Sequence, residues 1–230
     1  MPEGTSAVAL VLSGDPTLYE IVWLSLLVSL CAVAAGTVIG VPFGALLALT
    51  RFPGREPVIV VLNALMGLPP VVVGLLVYLL LSRSGPLGEL GILFTPQAMI
   101  VAQTILVAPI LAALARQTVE DLWLEYRDEL DAMHVGPFGR IATLICDARF
   151  SLVTALLAGF GRAAAEVGAN IIVGGNIEGF TRTMTTAIAL ETSKGDLALA
   201  TGLGMVLIAI VVIVNALAWA ARRAGERIAG

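Results

Sequence analysis

Two oppositely charged residues inside a long apolar stretch are the first candidates for chemistry in this sequence. Arg162 and Glu166 are four residues apart, so a helix would place them on one face. A charge at a bilayer centre costs about 2.5–3.5 kcal/mol on insertion scales, so the pair must face protein, water or each other. Either Arg162 contacts a passing anion or a gate while Glu166 limits how tightly the anion is held, or the two neutralise each other and join helices. We favour the structural or gating role, because a pathway for a doubly charged anion should not hold it strongly, and we assign Asn170 to the same pathway or gate.

Few other residues have types and spacings that support chemistry. His134 is the only histidine, and a single imidazole among surface charges is more typical of a helix end than of a metal site. Cys31 and Cys146 show no metal-ligand spacing. The sequence contains no G-x-x-x-x-G-K-[ST] phosphate loop, so this chain does not supply the usual nucleotide site. We therefore expect no catalytic residues, no metal and no cofactor bound by this chain.

The composition identifies the environment that must position these residues. Hydrophobic residues make up 58% of the 230 positions and charged residues only 13%, against roughly half and a quarter in soluble domains. Glycine and alanine recur within the apolar stretches, which suits helices packing closely in lipid. Basic residues are not clustered densely enough for nucleic-acid binding. We predict an all-α, polytopic membrane helix bundle in which residues 1–230 form a single transmembrane domain.

Five apolar stretches are long enough to cross a bilayer, which takes about 20 helical residues. They are residues 18–50, 58–81, 97–115, 150–173 and 197–221. Pro42 predicts a kink in the first stretch, and Pro69 with Pro70 predicts a break in the second, because proline lacks the N–H of the helical ladder. Between the spans, we expect a turn-rich loop at residues 82–95 and a short helix at 181–192.

The distribution of basic residues predicts the orientation of these spans. With an external amino terminus, the cytoplasmic segments carry nine: Arg51, Arg55, Arg116, Arg127, Arg140, Arg149, Arg222, Arg223 and Arg227. The external segments carry only Arg83, Arg182 and Lys194, which agrees with the positive-inside rule. The apolar run at residues 7–12 is short for the core of an export signal, so we expect the first span to be retained. The prediction is a multi-pass protein of the bacterial cytoplasmic (inner) membrane, with its amino terminus outside and its carboxyl terminus in the cytoplasm.

The long connection between the third and fourth spans mixes charges with regularly spaced apolar residues. Leu122, Tyr126, Leu130 and Met133 recur at helical spacing, and Gly136 followed by proline is a typical helix stop. This pattern fits a short helix lying along the membrane as a docking element. It fits equally well an extension of the third span with a solvated tip.

Three strings and one loop motif resemble a known family. The strings are Glu-Val-Gly-Ala at residues 166–169, Gly-Gly-Asn-Ile at 174–177 and Thr-Thr-Ala-Ile-Ala-Leu-Glu-Thr-Ser-Lys-Gly-Asp at 185–196. Ala132 and Gly136 match the spacing of the Ala-rich cytoplasmic loop in permeases of bacterial ABC importers, although Leu130-Asp131-Ala132 stands where Glu-Ala-Ala is usual. The chain is thus similar to type I ABC importer permeases, and to their tungstate- or molybdate-type subgroup in particular.

This resemblance implies a function and a set of partners. It implies a homodimer in the lipid bilayer, two cytoplasmic ABC ATPase subunits that use ATP, and an extracytoplasmic oxyanion-binding protein; no nucleic acid is expected. The translocated oxyanion would be tungstate, with molybdate or another oxyanion as the alternative. The implied ATPase-coupling residues are Leu130, Asp131, Ala132, Met133 and Gly136, within a coupling segment at about 120–140. Asn176 and Arg182 are candidate contacts for the binding protein.

Two functions of other classes were compared with this assignment. A secondary transporter should show internal repeats of its hydrophobic segments, and none is detected. An intramembrane enzyme should show a nucleophile or a metal constellation, whereas the ionisable pair within the spans is Arg162 with Glu166.

Overall fold

The computed structural model describes residues 16–229 of the chain. Residues 1–15, including the apolar run at 7–12, and Gly230 lie outside the described residues, as do the side chains of 16, 221, 222 and 224–229. Within the described range the regular elements are all helical, which confirms the predicted fold class. The α-helices are α1 (Pro16–Leu49), α2 (Arg55–Leu65), α3 (Pro70–Leu81), α4 (Pro96–Ala132), α5 (Pro137–Asp147), α6 (Arg149–Ala164), α7 (Gly168–Gly174), α8 (Met184–Lys194) and α9 (Leu197–Ala229).

Three helices are long and apolar enough by themselves to cross a bilayer: α1, α4 and α9. Two bent pairs bring the total to as many as five spans, with α2 and α3 meeting at 99° and α5 and α6 at 73°. The predicted break at Pro69 and Pro70 is confirmed, since α3 begins at Pro70, where the missing N–H costs no helical hydrogen bond. Helix α1 continues through Pro42 without ending there.

One predicted element is wrong in its bounds, and the structure decides between two alternatives for another. The fourth span was expected as one helix over residues 150–173, but α6 ends at Ala164 and a separate helix, α7, begins at Gly168. The connection after the third span does not form its own short helix. Instead, α4 runs unbroken for 37 residues to Ala132, so the extended-span alternative is the one observed. Pro137 begins the next helix, α5, rather than ending the previous one.

Helices α1 and α4 share the most extensive helix–helix interface and form the centre of the bundle. Gly40 and Gly44 of α1 permit this approach, because a Cβ on Gly40 would lie 2.6 Å from the carbonyl oxygen of Ala108, and one on Gly44 would overlap that of Ala112. Small residues that let two backbones approach are a common means of packing helices in membranes.

The two ends of α1 pack against different helices. At its start, Leu18 and Ile21 pack with Met184 of α8. At its end, Ala45 and Ala48 pack with Leu130, near the end of α4, and with Leu144 of α5. A 34-residue helix is about 50 Å long, so these two regions lie at opposite ends of the bundle.

The two predicted short elements are confirmed. Residues 82–95 form turns around a 3-10 helix at Gly88–Leu90. The short helix expected at 181–192 is α8, displaced by two or three residues.

Candidate functional site

The break between α6 and α7 creates a polar site within the bundle. The carbonyl oxygen of Glu166 accepts hydrogen bonds from Asn170 Nδ2 at 3.0 Å and from Thr185 Oγ1 at 2.7 Å. Side chains that bond a backbone carbonyl offer it an alternative to the helical ladder. Thr185 belongs to α8, so a tertiary contact helps to stop the helix at this position.

Arg162 and Glu166 form an ion pair across the end of α6. The distance from Arg162 Nη1 to Glu166 Oε2 is 2.6 Å, and Glu166 Oε1 accepts the backbone N–H of Ala169 at 2.9 Å. The two residues do not share one continuous helix as predicted, because Glu166 lies beyond the last residue of α6. They meet nevertheless, since the chain keeps a turn-like path through residues 165 and 166.

The two members of this ion pair differ in exposure. The Glu166 side chain is 2% exposed and that of Arg162 is 28% exposed. The Glu166 carboxylate is therefore buried within the chain, while the Arg162 side chain is partly exposed at its surface. The Arg162 guanidinium has five N–H donors. Among the described residues, it donates one side-chain hydrogen bond, from Nη1 to Glu166. The remaining donors give this surface the capacity to bind water, an anion or another subunit.

A buried amide that sequence reasoning missed extends the site. Gln103 of α4 is 1% exposed, and its Nε2 donates to Asn170 Oδ1 at 3.2 Å. Gln103 Oε1 is buried and has no hydrogen-bond partner among the described residues. The three predicted pathway residues, Arg162, Glu166 and Asn170, are thus brought together and joined to α4. A lone amide within an apolar span is the signal that would have revealed Gln103, because buried polar groups need partners.

Hydrogen bonds with hydroxyl groups fix the position of α8 next to this site. Thr183 and Thr186 form a reciprocal capping box at the start of α8. The N–H of Met184 donates to Ser25 Oγ of α1 at 2.7 Å. The element that carries Thr185 is therefore tied to the central helix of the bundle.

The predicted ATPase-coupling residues lie at the far end of α4. Asp131, Ala132, Met133 and Gly136 are exposed, with Met133 at 73%. Leu130 is buried among apolar side chains of α4 and α5, so it anchors the turn from inside. These five residues belong to one turn, which we call the coupling turn and define as residues 130–136.

The backbone of the coupling turn is that of a helix C-terminus with an unusual residue in it. The N–H groups of His134 and Val135 donate to the carbonyl oxygens of Asp131 and Leu130, both at 3.1 Å, which is the Schellman pattern. The left-handed residue is His134, with φ 53°, where glycine or asparagine is usual. Gly136, expected as the left-handed stop, instead has φ −66° and ψ 164° and precedes α5.

The predicted external contacts lie at the opposite end of the bundle. Asn176 has φ 50° and donates at 3.5 Å to the carbonyl oxygen of Thr186. The Arg182 side chain is 14% exposed, lies 3.5 Å from Glu178, and borders a cavity of about 240 Å³. Both residues therefore have internal contacts, and Arg182 faces a cavity that reaches α1 and α9.

Helix α4 connects the two sites directly. Gln103 and Leu130 are 27 residues apart on this uninterrupted helix, which corresponds to about 40 Å. The polar site and the coupling turn are therefore distant in space but belong to one element.

Comparison with known proteins gives a consistent result. No protein-family model matches the chain. It is 46% identical over 206 residues to a probable anion ABC transporter permease protein of Haloferax volcanii, covering 87% of this chain and 88% of that one. It is 38% identical over 211 residues to the tungstate uptake system permease protein TupB of Peptoclostridium acidaminophilum, covering 92% of each. Among solved structures, a chain of the MetNI methionine ABC transporter shares the fold, with a TM-score of 0.76, 20% identity, and coverage of 90% of this chain and 95% of that one.

Proposed function

Since this chain belongs to the family of ABC transporter permeases that includes those two relatives, we propose that it is the membrane-spanning subunit of an importer for tungstate. The assignment of tungstate as the substrate rests on the 38% identity to a tungstate uptake permease, which spans 92% of each chain. The candidate spans and the apolar composition agree with a multi-pass subunit. Molybdate is the competing substrate, because both anions are tetrahedral and doubly charged.

We propose that two copies of the chain form the pathway and that two cytoplasmic ATPase subunits drive it. An extracytoplasmic binding protein would deliver the oxyanion at the end of the bundle that contains Asn176 and Arg182. The opposite placement of these residues and the coupling turn supports this division, since capture and ATP hydrolysis take place on different sides of the membrane. The orientation follows from the basic residues, with the amino terminus outside and the carboxyl terminus in the cytoplasm.

The coupling turn has the surface that a docking element requires. Met133 of the turn and Phe138, at the start of α5, flank Gly136 in the sequence and are 73% and 87% exposed. Large apolar side chains exposed beyond the membrane are typical of interaction sites. We propose that these two side chains enter a groove of the ATPase subunit, and that closure of the ATPase dimer moves the turn and opens or closes the bundle.

The polar site at the α6–α7 break is proposed as a gate. Its buried half, Glu166 with Asn170 and Gln103, holds the break in position. Its exposed half is the guanidinium of Arg162, which retains donors for an anion or for the second copy. The Glu166 carboxylate offsets the positive charge, so a passing dianion would be held weakly.

Uptake by the intact complex tests the proposed function. The permease, co-expressed with its ATPase and binding protein, is reconstituted into vesicles, and labelled tungstate is offered against excess molybdate or sulfate. We expect ATP-dependent uptake that unlabelled tungstate suppresses most strongly. Stronger suppression by molybdate would reassign the substrate, and failure to co-purify with any ATPase subunit would refute the importer assignment.

Gly136 provides a clean test of the coupling turn. A Cβ at Gly136 meets no atom within 4 Å, and its φ of −66° suits any residue, so substitution there should not disturb the fold. We expect Gly136→Trp to obstruct docking and uncouple ATP hydrolysis from uptake, and Gly136→Ala to behave as the wild type. Normal coupled transport by Gly136→Trp would argue against docking through this turn. Asp131→Lys, which reverses a charge in the same turn, should also uncouple.

Arg162→Ala distinguishes a functional guanidinium from a purely structural one. If Arg162 contacts the anion or gates its passage, uptake should fall while the complex still assembles. Full uptake with normal assembly would rule out the functional role.

A further inference from the structure

Arg140 of α5 makes three contacts around the coupling turn. Among the described residues near this turn, no other combines all three. Its Nη2 lies 2.8 Å from Asp131 Oδ1. Its Nε donates to the carbonyl oxygen of Val135 at 2.7 Å. Its guanidinium carbon lies 5.3 Å from the ring centroid of Trp123. The side chain is 28% exposed, so these contacts are partly shielded from water.

The three contacts fix three separate parts of the turn. Asp131 is in the last turn of α4, and Val135 is the residue at which the chain turns back toward α5. Trp123 lies on α4 about two turns before its end, so the guanidinium also sets how α5 leans against α4. One side chain therefore couples the end of α4, the turn itself and the helix that follows.

This bracing adds to the two Schellman hydrogen bonds of the turn and to Arg127, whose Nε lies 3.8 Å from Asp131 Oδ2. The left-handed conformation of His134 disfavours the turn by about 1–2 kcal/mol. The residues between Ala132 and Gly136 are mostly exposed, and the apolar support comes from Leu130 and Val135 at its base. An exposed turn with few buried contacts would otherwise sample several conformations.

We propose that Arg140 is the positioning residue of the coupling turn: it holds Met133 and Gly136 in the arrangement that the ATPase subunit binds. This inference rests on the proposed function, since it concerns the same turn. It adds the residue that makes docking productive, although Arg140 itself is directed inward and not toward the partner.

The geometry requires arginine and not merely a positive charge. Nε and Nη2 reach two acceptors at once while the planar group faces an indole ring, whereas a lysine ammonium is a single point charge on a flexible chain. Arg140→Lys should therefore preserve net charge and folding but lose the positioning.

The experiment compares Arg140→Ala and Arg140→Lys with Arg149→Ala in the reconstituted complex. Arg149 serves as the control, because it also lies near the start of a helix and faces an aromatic ring, that of Phe150, but it is exposed and has no bond to the coupling turn among the described residues. Assembly, ATP hydrolysis and anions imported per ATP are measured together. Losing hydrogen bonds to a charged group should lower the number of anions imported per ATP about tenfold in both Arg140 variants, with Arg149→Ala unchanged.

A second measurement does not depend on assembly with the ATPase. A spin label is attached at Met133→Cys in the permease alone, in a background in which Cys31 and Cys146 are replaced by alanine. We expect the electron paramagnetic resonance spectrum of the label to show restricted motion in the unaltered background and faster motion with either Arg140 variant. The exchange Asp131→Arg with Arg140→Asp, made together with Arg127→Ala so that the new arginine does not face a like charge, should recover part of the restriction, because it restores the ion pair with residue 140 but not the bond to Val135.

The outcomes separate the two proposals. If Gly136→Trp uncouples transport but both Arg140 variants keep wild-type coupling and label mobility, the positioning role is refuted and the proposed function stands. If Gly136→Trp has no effect on coupling, docking through this turn is refuted, and the positioning role with it. If Arg140→Ala fails to assemble, Arg140→Lys and the spin label decide.

Discussion

The ion pair of Arg162 and Glu166 predicts an asymmetric response to neutralisation. Glu166 is almost fully buried, whereas Arg162 is more than a quarter exposed. Arg162→Gln therefore leaves a buried carboxylate without its cation, and breaking a buried pair in this way costs about 3–5 kcal/mol. Glu166→Gln leaves a cation that is only partly buried, and the new amide oxygen can still accept the N–H of Ala169. The cost in that direction should be about 1.5 kcal/mol, the value of a charged hydrogen bond.

The difference between the two variants is large enough to measure. A gap of about 2 kcal/mol corresponds to about 4–8 °C in the unfolding midpoint of a chain of this size. We expect Arg162→Gln to unfold at the lower temperature in detergent-purified protein, followed by tryptophan fluorescence at one pH and salt concentration. The double variant with glutamine at both positions should unfold above Arg162→Gln alone, because it contains no stranded charge. Equal midpoints, or a lower midpoint for Glu166→Gln, would refute the reasoning from burial.

Three further predictions concern other parts of the fold. Gly44→Ala should lower stability by about 1–3 kcal/mol, because its Cβ overlaps the backbone of α4, whereas Gly204→Ala, in an open position of α9, should be neutral or raise it; thermal unfolding of both variants checks this, and equal effects would contradict it. His134→Gly should raise stability by about 1 kcal/mol by removing a left-handed non-glycine residue, as measured by the unfolding midpoint, and a loss would contradict it. Ser25→Ala should cost about 1–3 kcal/mol, because it leaves the buried N–H of Met184 without an acceptor, and unchanged protection of that amide in hydrogen exchange would count against it.

The positions of the helices were largely predictable from the sequence, because local chemistry determines them. Apolar runs longer than 20 residues have few alternatives to crossing a membrane as helices. The break before Pro70 was also predictable, since proline lacks a donor wherever it stands. The break after Ala164 was not predicted; the carbonyl of Glu166, just beyond it, accepts a bond from the hydroxyl of Thr185, a partner 19 residues away that only tertiary packing brings near.

The polar site was predictable only in part for the same reason. The spacing of Arg162 and Glu166 revealed their pairing, but not that one would be buried and the other exposed. Gln103 is on a different span, and nothing in its neighbourhood in the sequence indicates Asn170 as its partner. In the coupling turn, glycine at 136 pointed to the wrong left-handed position, because the observed one is occupied by histidine.

The unbroken course of α4 makes it a lever between the buried polar site and the coupling turn. If it tilted by about 5° as a rigid body about Gln103, its far end would travel about 3.5 Å, given the 40 Å between that residue and Leu130. A displacement of about 3.5 Å at the coupling turn thus needs only a small rotation about the buried amide of Gln103.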